Sequence, residues 1–360
     1  MKAIIPTGGR GTRMQPLTFS SNKHFIPVAN KPLIYYPVET VAAAGIKEIL
    51  ITYNPESLEQ AKQFLGDGSK WGVKFSYVLQ EKPMGLANIF QVCEEALAGE
   101  PFLLHLGDNI FADGIADLTS HFEKEKPDGL VPMVHHKENT RLGVPYFDDK
   151  GRLVKYVEKP ANPPHDFAIP GLYFFSNRVF ECFKGEEAIK PSERGELEIS
   201  APFQWMIDHH LRVDVVEYKG VWLDPGKFDD WMAANQYLLD HKLTDNIESA
   251  ISPSVKVSGV VKIGRECTIE DCEITGPVVI GDKVKIIRSR IGKHTAIGDN
   301  CEIINSQVED SVLMDGVKII NVKKHPISAS LIGTGTEVKE EHQEGSKTSL
   351  FVGEKCQIQI

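Results

Sequence analysis

Between residues 263 and 308 an apolar residue returns at steps of 6, 5, 6, 6, 5, 6, 6 and 5: Ile263, Ile269, Ile274, Ile280, Ile286, Ile291, Ile297, Ile303 and Val308. Three successive steps sum to 17, so Ile263, Ile280 and Ile297 fall on one line, and each is followed by a glycine, Gly264, Gly281 and Gly298. An α-helix repeats at 3.6 residues, and the simple alternation of a β-sandwich would not hold a third-order repeat over nine positions. The pattern predicts a parallel β-helix with three short faces per coil and one inward apolar residue per face.

Upstream of this region the periodicity is different. Ala3–Ile5, Glu48–Tyr53, Lys74–Leu79 and Pro101–Leu106 are short apolar runs, while Leu33–Gly45 and Gly85–Ala98 carry helical spacing between Gly or Pro. Strands alternating with helices predict an α/β domain, a mostly parallel Rossmann-like sheet with helices on both faces. A last helix, Phe228–Leu243, repeats apolar residues at three-to-four spacing and is expected to close that domain. The expected domains are therefore 1–243 and 251–360.

Composition narrows the partners. A formal charge of −10 and a pI near 5.7 argue against general binding to nucleic acid or anionic membranes, though a local basic pocket remains open. The six cysteines form no CxxC pair and read as small buried apolar residues in a reducing compartment. Only Ile4 and Ile5 precede the first glycines, so no signal-peptide core is expected, and no apolar run approaches the roughly 20 residues of a membrane span. The expectation is a cytoplasmic protein with small-molecule substrates.

"IPTGGRGTRMQPL", residues 5–17, follows the first strand with a flexible, basic bend. It fits neither G-x-G-x-x-G nor the P-loop, because Met14 stands at the third glycine site and no Lys-Ser or Lys-Thr follows. A backbone stripped of side chains still suits close approach to phosphate, and guanidinium groups suit phosphate oxygens; a plain surface turn is the alternative. In open parallel sheets ligands sit beyond the carboxyl ends of the strands, which puts this bend and Gly107–Asp108–Asn109 along one edge. Asp108 and Asp224 each follow an apolar strand and suit a hard cation, although both also sit in good turn sequences. Lys23 and Lys159 read alone as solvated surface charges, and "RGELEIS", residues 194–200, reads as a capped helix start.

Several motifs nevertheless match one family in order. Gly8-Gly9-x-Gly11-Thr12-Arg13, Pro16-Leu17-Thr18, Lys23, Pro27 and Asn30-Lys31-Pro32 resemble the signature of sugar-1-phosphate nucleotidyltransferases. "LQEKPMGLA", "LGDNIF", "VEKPANPP", "GLYFFS", "PSERGELEI" and "WLDPG" resemble the glucose-1-phosphate thymidylyltransferases, and the likeness extends through the long form with a carboxyl-terminal left-handed β-helix. The resemblance implies that dTTP and a sugar 1-phosphate give a dTDP-sugar and pyrophosphate, with Mg2+ as cofactor. It further implies that Gly8, Gly9, Gly11 and Thr12 cradle the nucleotide, Arg13 faces the departing pyrophosphate and Lys23 touches the phosphates. Asp108 and Asp224 would hold the metal, Gln80 and Gly85 would read the pyrimidine, and Gly143, Glu158, Lys159 and Tyr173 would bind the sugar phosphate.

Three positions depart from the family pattern: Pro6-Thr7 before the glycines, His24 after Lys23 and Pro225 after Asp224. None removes a charged group, but Pro6-Thr7 lies where the base is expected, which leaves base preference open. A uridylyltransferase differs by one methyl and one hydroxyl of substrate, and a methyl gives only about 10–200-fold discrimination. A mannose-1-phosphate guanylyltransferase and a scaffold with a dead nucleotide site are further alternatives. For the solenoid, acyl transfer with His294 or His325 as base competes with assembly and support, and the expectation is assembly. The apolar ending "TSLFVGEKCQIQI", residues 348–360, is expected to cap the solenoid or join a homo-oligomer interface.

Overall fold

The computed structural model describes residues 1–9, 11–19 and 21–339; the ending 348–360 and Cys356 lie outside the described residues. By its contacts the chain divides into two compact units, one of Met1–Gly9 with Ile34–Leu223, the other of the following loop up to Leu33 with the chain from Asp224 on.

The first unit is built on an 8-stranded sheet in the order Phe167–Ala168, Gly129–His135, Leu172–Phe175, Phe102–His105, Lys2–Pro6, Glu48–Tyr53 and Lys74–Leu79, with Val213–Glu217 also beside Gly129–His135. All strands run one way except Phe167–Ala168 and Leu172–Phe175, so the sheet is mostly parallel, as its sequence pattern requires. Register explains why it is covered on both faces. Leu50, Ile4, Leu104 and Tyr173 stand in one row across four strands and pack with Ala87, Ile89, Phe90 and Cys93 of the helix Leu86–Leu97. Phe174, one residue on, points the opposite way and meets Phe122 of the helix Ala116–Glu125 at 5.4 Å between ring centroids. The parallel pairing of Lys2–Pro6 with Phe102–His105 brings Thr7–Gly9 and Gly107–Asn109 to the same sheet edge.

In the second unit three parallel sheets of short strands wrap around one another. Their registers are those the repeat demands: Ile263, Ile280, Ile297 and Leu313 stack on one face, Ile269, Ile286, Ile303 and Ile319 on the next, and Ile274, Ile291 and Val308 on the third. All are buried. This is the parallel β-helix expected, and its form is consistent with the left-handed type. The glycines after the first ladder have a physical reason. Asp282, Asp299 and Asp315 each cross over the glycine of the preceding coil, and their Oδ1 atoms accept the main-chain N–H of Arg265, Asp282 and Asp299 at 2.8, 2.7 and 2.9 Å.

The helix Phe228–Lys242, which the sequence assigns to closing the first domain, packs instead with the solenoid. Met232 and Leu239 bury against Val279, Ala296 and Val312, the outward residues of successive coils on one face. The periodicity boundary at 243–251 thus marks a change of secondary structure, whereas the contacts divide at Asp224.

A methyl at residue 281 would enter the van der Waals shell of Asp299 Oδ1. Gly281→Ala is therefore expected to destabilise the solenoid by about 1–3 kcal/mol in chemical denaturation. Adding Asp299→Ala removes the side-chain part of the clash and leaves the main chain of residues 298 and 299 at 2.9 Å, so the double variant should lose less than the two single losses together; strict additivity would remove the Asp299 carboxylate contact from the account.

Candidate functional site

Each unit presents one group of the expected site residues. In the first, Gly8 ends the opening strand, and its carbonyl accepts from Asn54 Nδ2 at 3.2 Å. A substituent on its α-carbon would lie 3.5 Å from Gln80 Oε1. Gln80 is 6% exposed and is fixed from behind, because Nε2 donates to Asn88 Oδ1 at 3.0 Å. Its main-chain N–H continues the sheet by donating to Tyr53 at 2.8 Å. The amide edge that would read a base is thus held beside the glycine backbone.

Gly85 starts the helix Leu86–Leu97 with φ 101°, and the backbone of Leu197 occupies the place a Cβ would need. Leu197 N–H donates to the Met84 carbonyl at 2.7 Å, and Ala87 N–H donates to the Leu197 carbonyl at 3.0 Å. This corrects the reading of residues 194–200 as a capped helix start. Leu197 uses its main-chain groups on residues 84 and 87, so the helix begins only at Ser200, without a side-chain cap.

Asp108 is half-buried in the turn after Phe102–His105, and one of its oxygens accepts from Asn109 Nδ2 at 3.0 Å. The Oδ1 of the same Asn109 accepts from Gly171 N–H at 3.1 Å and Trp222 Nε1 at 2.8 Å. Asn109 therefore orients Asp108 and ties it to a short antiparallel ribbon of Ile110–Phe111 and Trp222–Leu223. In chain order the ribbon begins just after Asp108 and ends just before Asp224. Beneath, His105 is fully buried against Phe111, and burial pulls its imidazole down to about 4. It is neutral near pH 7 and supplies no cation to Asp108.

Gly143, Glu158 and Tyr173 converge on one side chain that sequence reasoning missed. Gly143 and Glu158 are cross-strand partners in the ribbon Gly143–Phe147 and Leu153–Glu158, and the Tyr156 ring fills the space a side chain at Gly143 would occupy. The buried Tyr156 hydroxyl hydrogen-bonds to Tyr173 and Glu158. Burial raises the Glu158 carboxyl above its ordinary range, with Glu198 adding to the rise and Lys159, Arg194 and the Tyr156 hydroxyl opposing it. Glu158 Oε2 is buried without a hydrogen-bond partner among the described residues. Lys159 follows with φ 50°, its side chain exposed and its N–H bonded to the Leu142 carbonyl at 2.9 Å. The only sequence signal for Tyr156 was its place two residues before Glu158 in an alternating strand.

In the second unit Gly11 adopts φ 57° and caps the short 3-10 helix Thr12–Met14. A Cβ there would come within 2.9 Å of both Lys23 and Thr18, and Thr18 Oγ1 donates to the Gly11 carbonyl at 2.9 Å. The loop is thus closed on itself, with Thr12 and Arg13 exposed and Lys23 buried. A substituent at Gly226 would lie 3.6 Å from the Arg13 guanidinium and 3.7 Å from Asp224 Oδ1, so both charged groups border that glycine. Among the described residues no three His, Cys, Asp or Glu side chains form a ready-made metal cage. No helix among them is long and apolar enough to cross a membrane. Five cysteines, Cys93, Cys182, Cys267, Cys272 and Cys301, are free thiols.

Residues 2–241 match the family model described as nucleotidyl transferase. Over 361 aligned residues, 100% of this chain and 99% of the relative, the sequence is 34% identical to a glucose-1-phosphate thymidylyltransferase of Streptomyces antibioticus. Among solved structures, a Bacillus anthracis protein assigned as a glucose-1-phosphate thymidylyltransferase and crystallised with sucrose aligns at 32% identity and TM-score 0.62, covering 68% of this chain and 97% of that one. A UDP-glucose pyrophosphorylase bound to UDP-glucose aligns at 25% identity and TM-score 0.58, covering 67% and 99% respectively.

The raised Glu158 carboxyl binds its proton more tightly folded than unfolded. Its contribution to stability is present below the ordinary carboxylate pKa and is lost as pH rises through the raised value. Denaturation of wild type and Glu158→Gln across pH 4 to 8 should show the wild type losing ground to the variant on the alkaline side of that window. Parallel curves would mean that Glu158 ionises as a solvated carboxylate.

Proposed function

Because the chain belongs to the nucleotidyl transferase family, we propose that it joins dTTP to glucose 1-phosphate, giving dTDP-glucose and pyrophosphate. The observation that carries the base half of this reading is the Gln80 amide, held by Asn88 at 3.0 Å beside the Gly8 backbone. An amide offers an adjacent donor and acceptor, the complement of the pyrimidine edge that thymine and uracil share. The sugar half rests on Glu158, whose buried Oε2 lacks a partner and would accept a hexose hydroxyl. Leaving such an oxygen unpaired is costly, which favours a ligand that donates to it.

In this reading the sugar-phosphate oxygen attacks the nucleotide α-phosphorus in line as pyrophosphate leaves. Such a transfer needs positioning and charge neutralisation more than covalent help. Gly8, Gly9, Gly11 and Thr12 lie along the nucleotide, with Gly85 next to the base. Arg13 offsets charge on the leaving pyrophosphate, and Lys23 neutralises the phosphates near the reacting centre. Lys159 binds the sugar phosphate, while Gly143 leaves room for the Tyr156 ring that aligns Tyr173 and Glu158.

Enzymes of this family generally work with a divalent metal. Asp108 and Asp224 offer hard carboxylate oxygens, and Mg2+ suits a set of one or two carboxylates completed by substrate phosphates. When bound, it would neutralise phosphate charge. Cytoplasmic location and homo-oligomeric assembly also belong to the proposal. Free thiols support a reducing compartment, and the solenoid supports assembly.

A panel of nucleoside triphosphates against glucose, mannose, galactose and glucosamine 1-phosphates, scored by pyrophosphate release, tests the reading. dTTP with glucose 1-phosphate should be the best pair; GTP with mannose 1-phosphate leading would overturn it, and UTP leading would move the base assignment alone. With the best pair, Arg13→Ala should lower kcat far more than it weakens sugar-phosphate binding, while Lys159→Ala should mainly raise KM for the sugar phosphate. Asp108→Asn and Asp224→Asn should each cost about 10²-fold or more in turnover; near-wild-type rates at saturating Mg2+ would remove both from the mechanism.

A further inference from the structure

The loop that carries Gly11, Arg13 and Lys23 ends in a hairpin, Pro27–Val28 paired with Lys31–Pro32. Its tip residues Ala29 and Asn30 both take positive φ, 47° and 62°, so their main-chain groups turn away from the hairpin ladder. Those groups and the flanking side chains find partners on the helix Phe228–Lys242 and on the solenoid. Trp231 Nε1 donates to the Pro27 carbonyl at 2.9 Å, and Ala29 N–H donates to Asn235 Oδ1 at 2.9 Å. The other end of the same amide, Asn235 Nδ2, donates to the His294 carbonyl at 2.9 Å, and Asn30 Nδ2 donates to the Ile297 carbonyl at 2.8 Å.

Asn235 is wholly buried, so water cannot replace either bond. Around it lies a dry patch. The outward residues Val279, Ala296 and Val312 of this face are apolar, and Ala29, Met232 and Leu239 pack on them. The loop between Gly11 and Phe25 is also closed by its own contacts, Thr18 to Gly11 and Gly11 against Lys23. A loop tied to itself in this way and bonded at its base moves with whatever holds the base.

We propose that Asn235 is a positioning residue for the nucleotide loop, and that the solenoid serves as its mount. One amide fixes the hairpin to the coil that begins at His294, and through the hairpin sets where Arg13 and Lys23 stand. This rests on the proposed part of Arg13 and Lys23 in handling the triphosphate. It gives the solenoid a task in catalysis without a catalytic group of its own. It also means that removing the chain after Leu243 strips the loop of two of its anchors, the carbonyls of His294 and Ile297.

Asn235→Leu keeps the side-chain shape and deletes both bonds, while Asn30→Ala deletes only the bond to Ile297. Gln236→Ala is the control: on the same helix it removes a 2.7 Å bond to Asp310 in the solenoid but touches nothing of the loop. In the full-length protein, Asn235→Leu should reduce kcat/KM for the triphosphate about 10- to 100-fold. KM for the sugar phosphate should stay within about twofold, the signature of a displaced phosphate loop rather than general damage. Asn30→Ala should show the same split more weakly, and Gln236→Ala should match wild type. Amide exchange gives a readout independent of turnover: residues 11–19 and 21–33 should exchange faster in Asn235→Leu and Asn30→Ala, with residues 278–297 protected as in wild type. Wild-type exchange in the loop for both variants, or equal losses toward both substrates, would overturn the proposal. If the wild-type protein released pyrophosphate from no pair, the functional reading would fail, and the exchange result alone would decide the anchoring.

Discussion

A buried amide side chain must send its hydrogen bonds to protein or ligand, because leaving one unmade costs about 1–3 kcal/mol. Three such amides organise this molecule. Gln80 is braced by Asn88 beside Gly8. Asn109 gathers Asp108, Gly171 and Trp222 at a strand end. Asn235 joins the base of the loop that carries Arg13 and Lys23 to the solenoid. Asn109 and Asn235 bridge segments far apart in sequence, whereas Gln80 is held by Asn88 eight residues on; Asn109 bonds directly to Asp108, and Asn235 acts on Arg13 and Lys23 through the hairpin. The arrangement converts the uniform stiffness of packed sheet and coil into a few fixed polar edges, as pre-organised phosphoryl transfer requires.

The glycines serve the same end by permitting close approach. Gly85 admits the Leu197 backbone, and Gly143 admits the Tyr156 ring. In both cases the neighbour that fills the space then contributes to the site, Leu197 by locking the start of the helix and Tyr156 by bonding Glu158 and Tyr173. The family motif at these positions thus records packing as much as direct recognition.

The parts of the fold set by local repetition were legible in the sequence. The 17-residue ladder was read from Ile263, Ile280 and Ile297, which stand in register as expected. The helix Leu86–Leu97 lies within one residue of its expected bounds. What eluded the sequence depends on contacts between distant segments. Residues 194–199 follow the rules of a helix start, but Leu197 is claimed by Met84 and Ala87 more than a hundred residues upstream. Tyr156 looked like one more strand residue because its role comes from the space at Gly143. The mount for the helix Phe228–Lys242 does leave a trace in the sequence. The outward positions Val279, Ala296 and Val312 are apolar, whereas the matching positions of the other two sheets carry Lys285, Glu302 and Lys318 or Glu273, Arg290 and Gln307, with apolar outward residues there only at the strand ends Ile287, Ile304 and Ile320. An apolar outside on a β-helix marks the face that something else covers.

The central claim, that this chain joins a pyrimidine nucleotide to glucose 1-phosphate, meets its most direct test in a crystal structure with dTDP-glucose bound. The account places the Gln80 amide within hydrogen-bond distance of the thymine edge and a glucose hydroxyl donating to Glu158 Oε2. A nucleotide sugar bound with its base away from Gln80, or with Glu158 Oε2 still unpartnered, would contradict it.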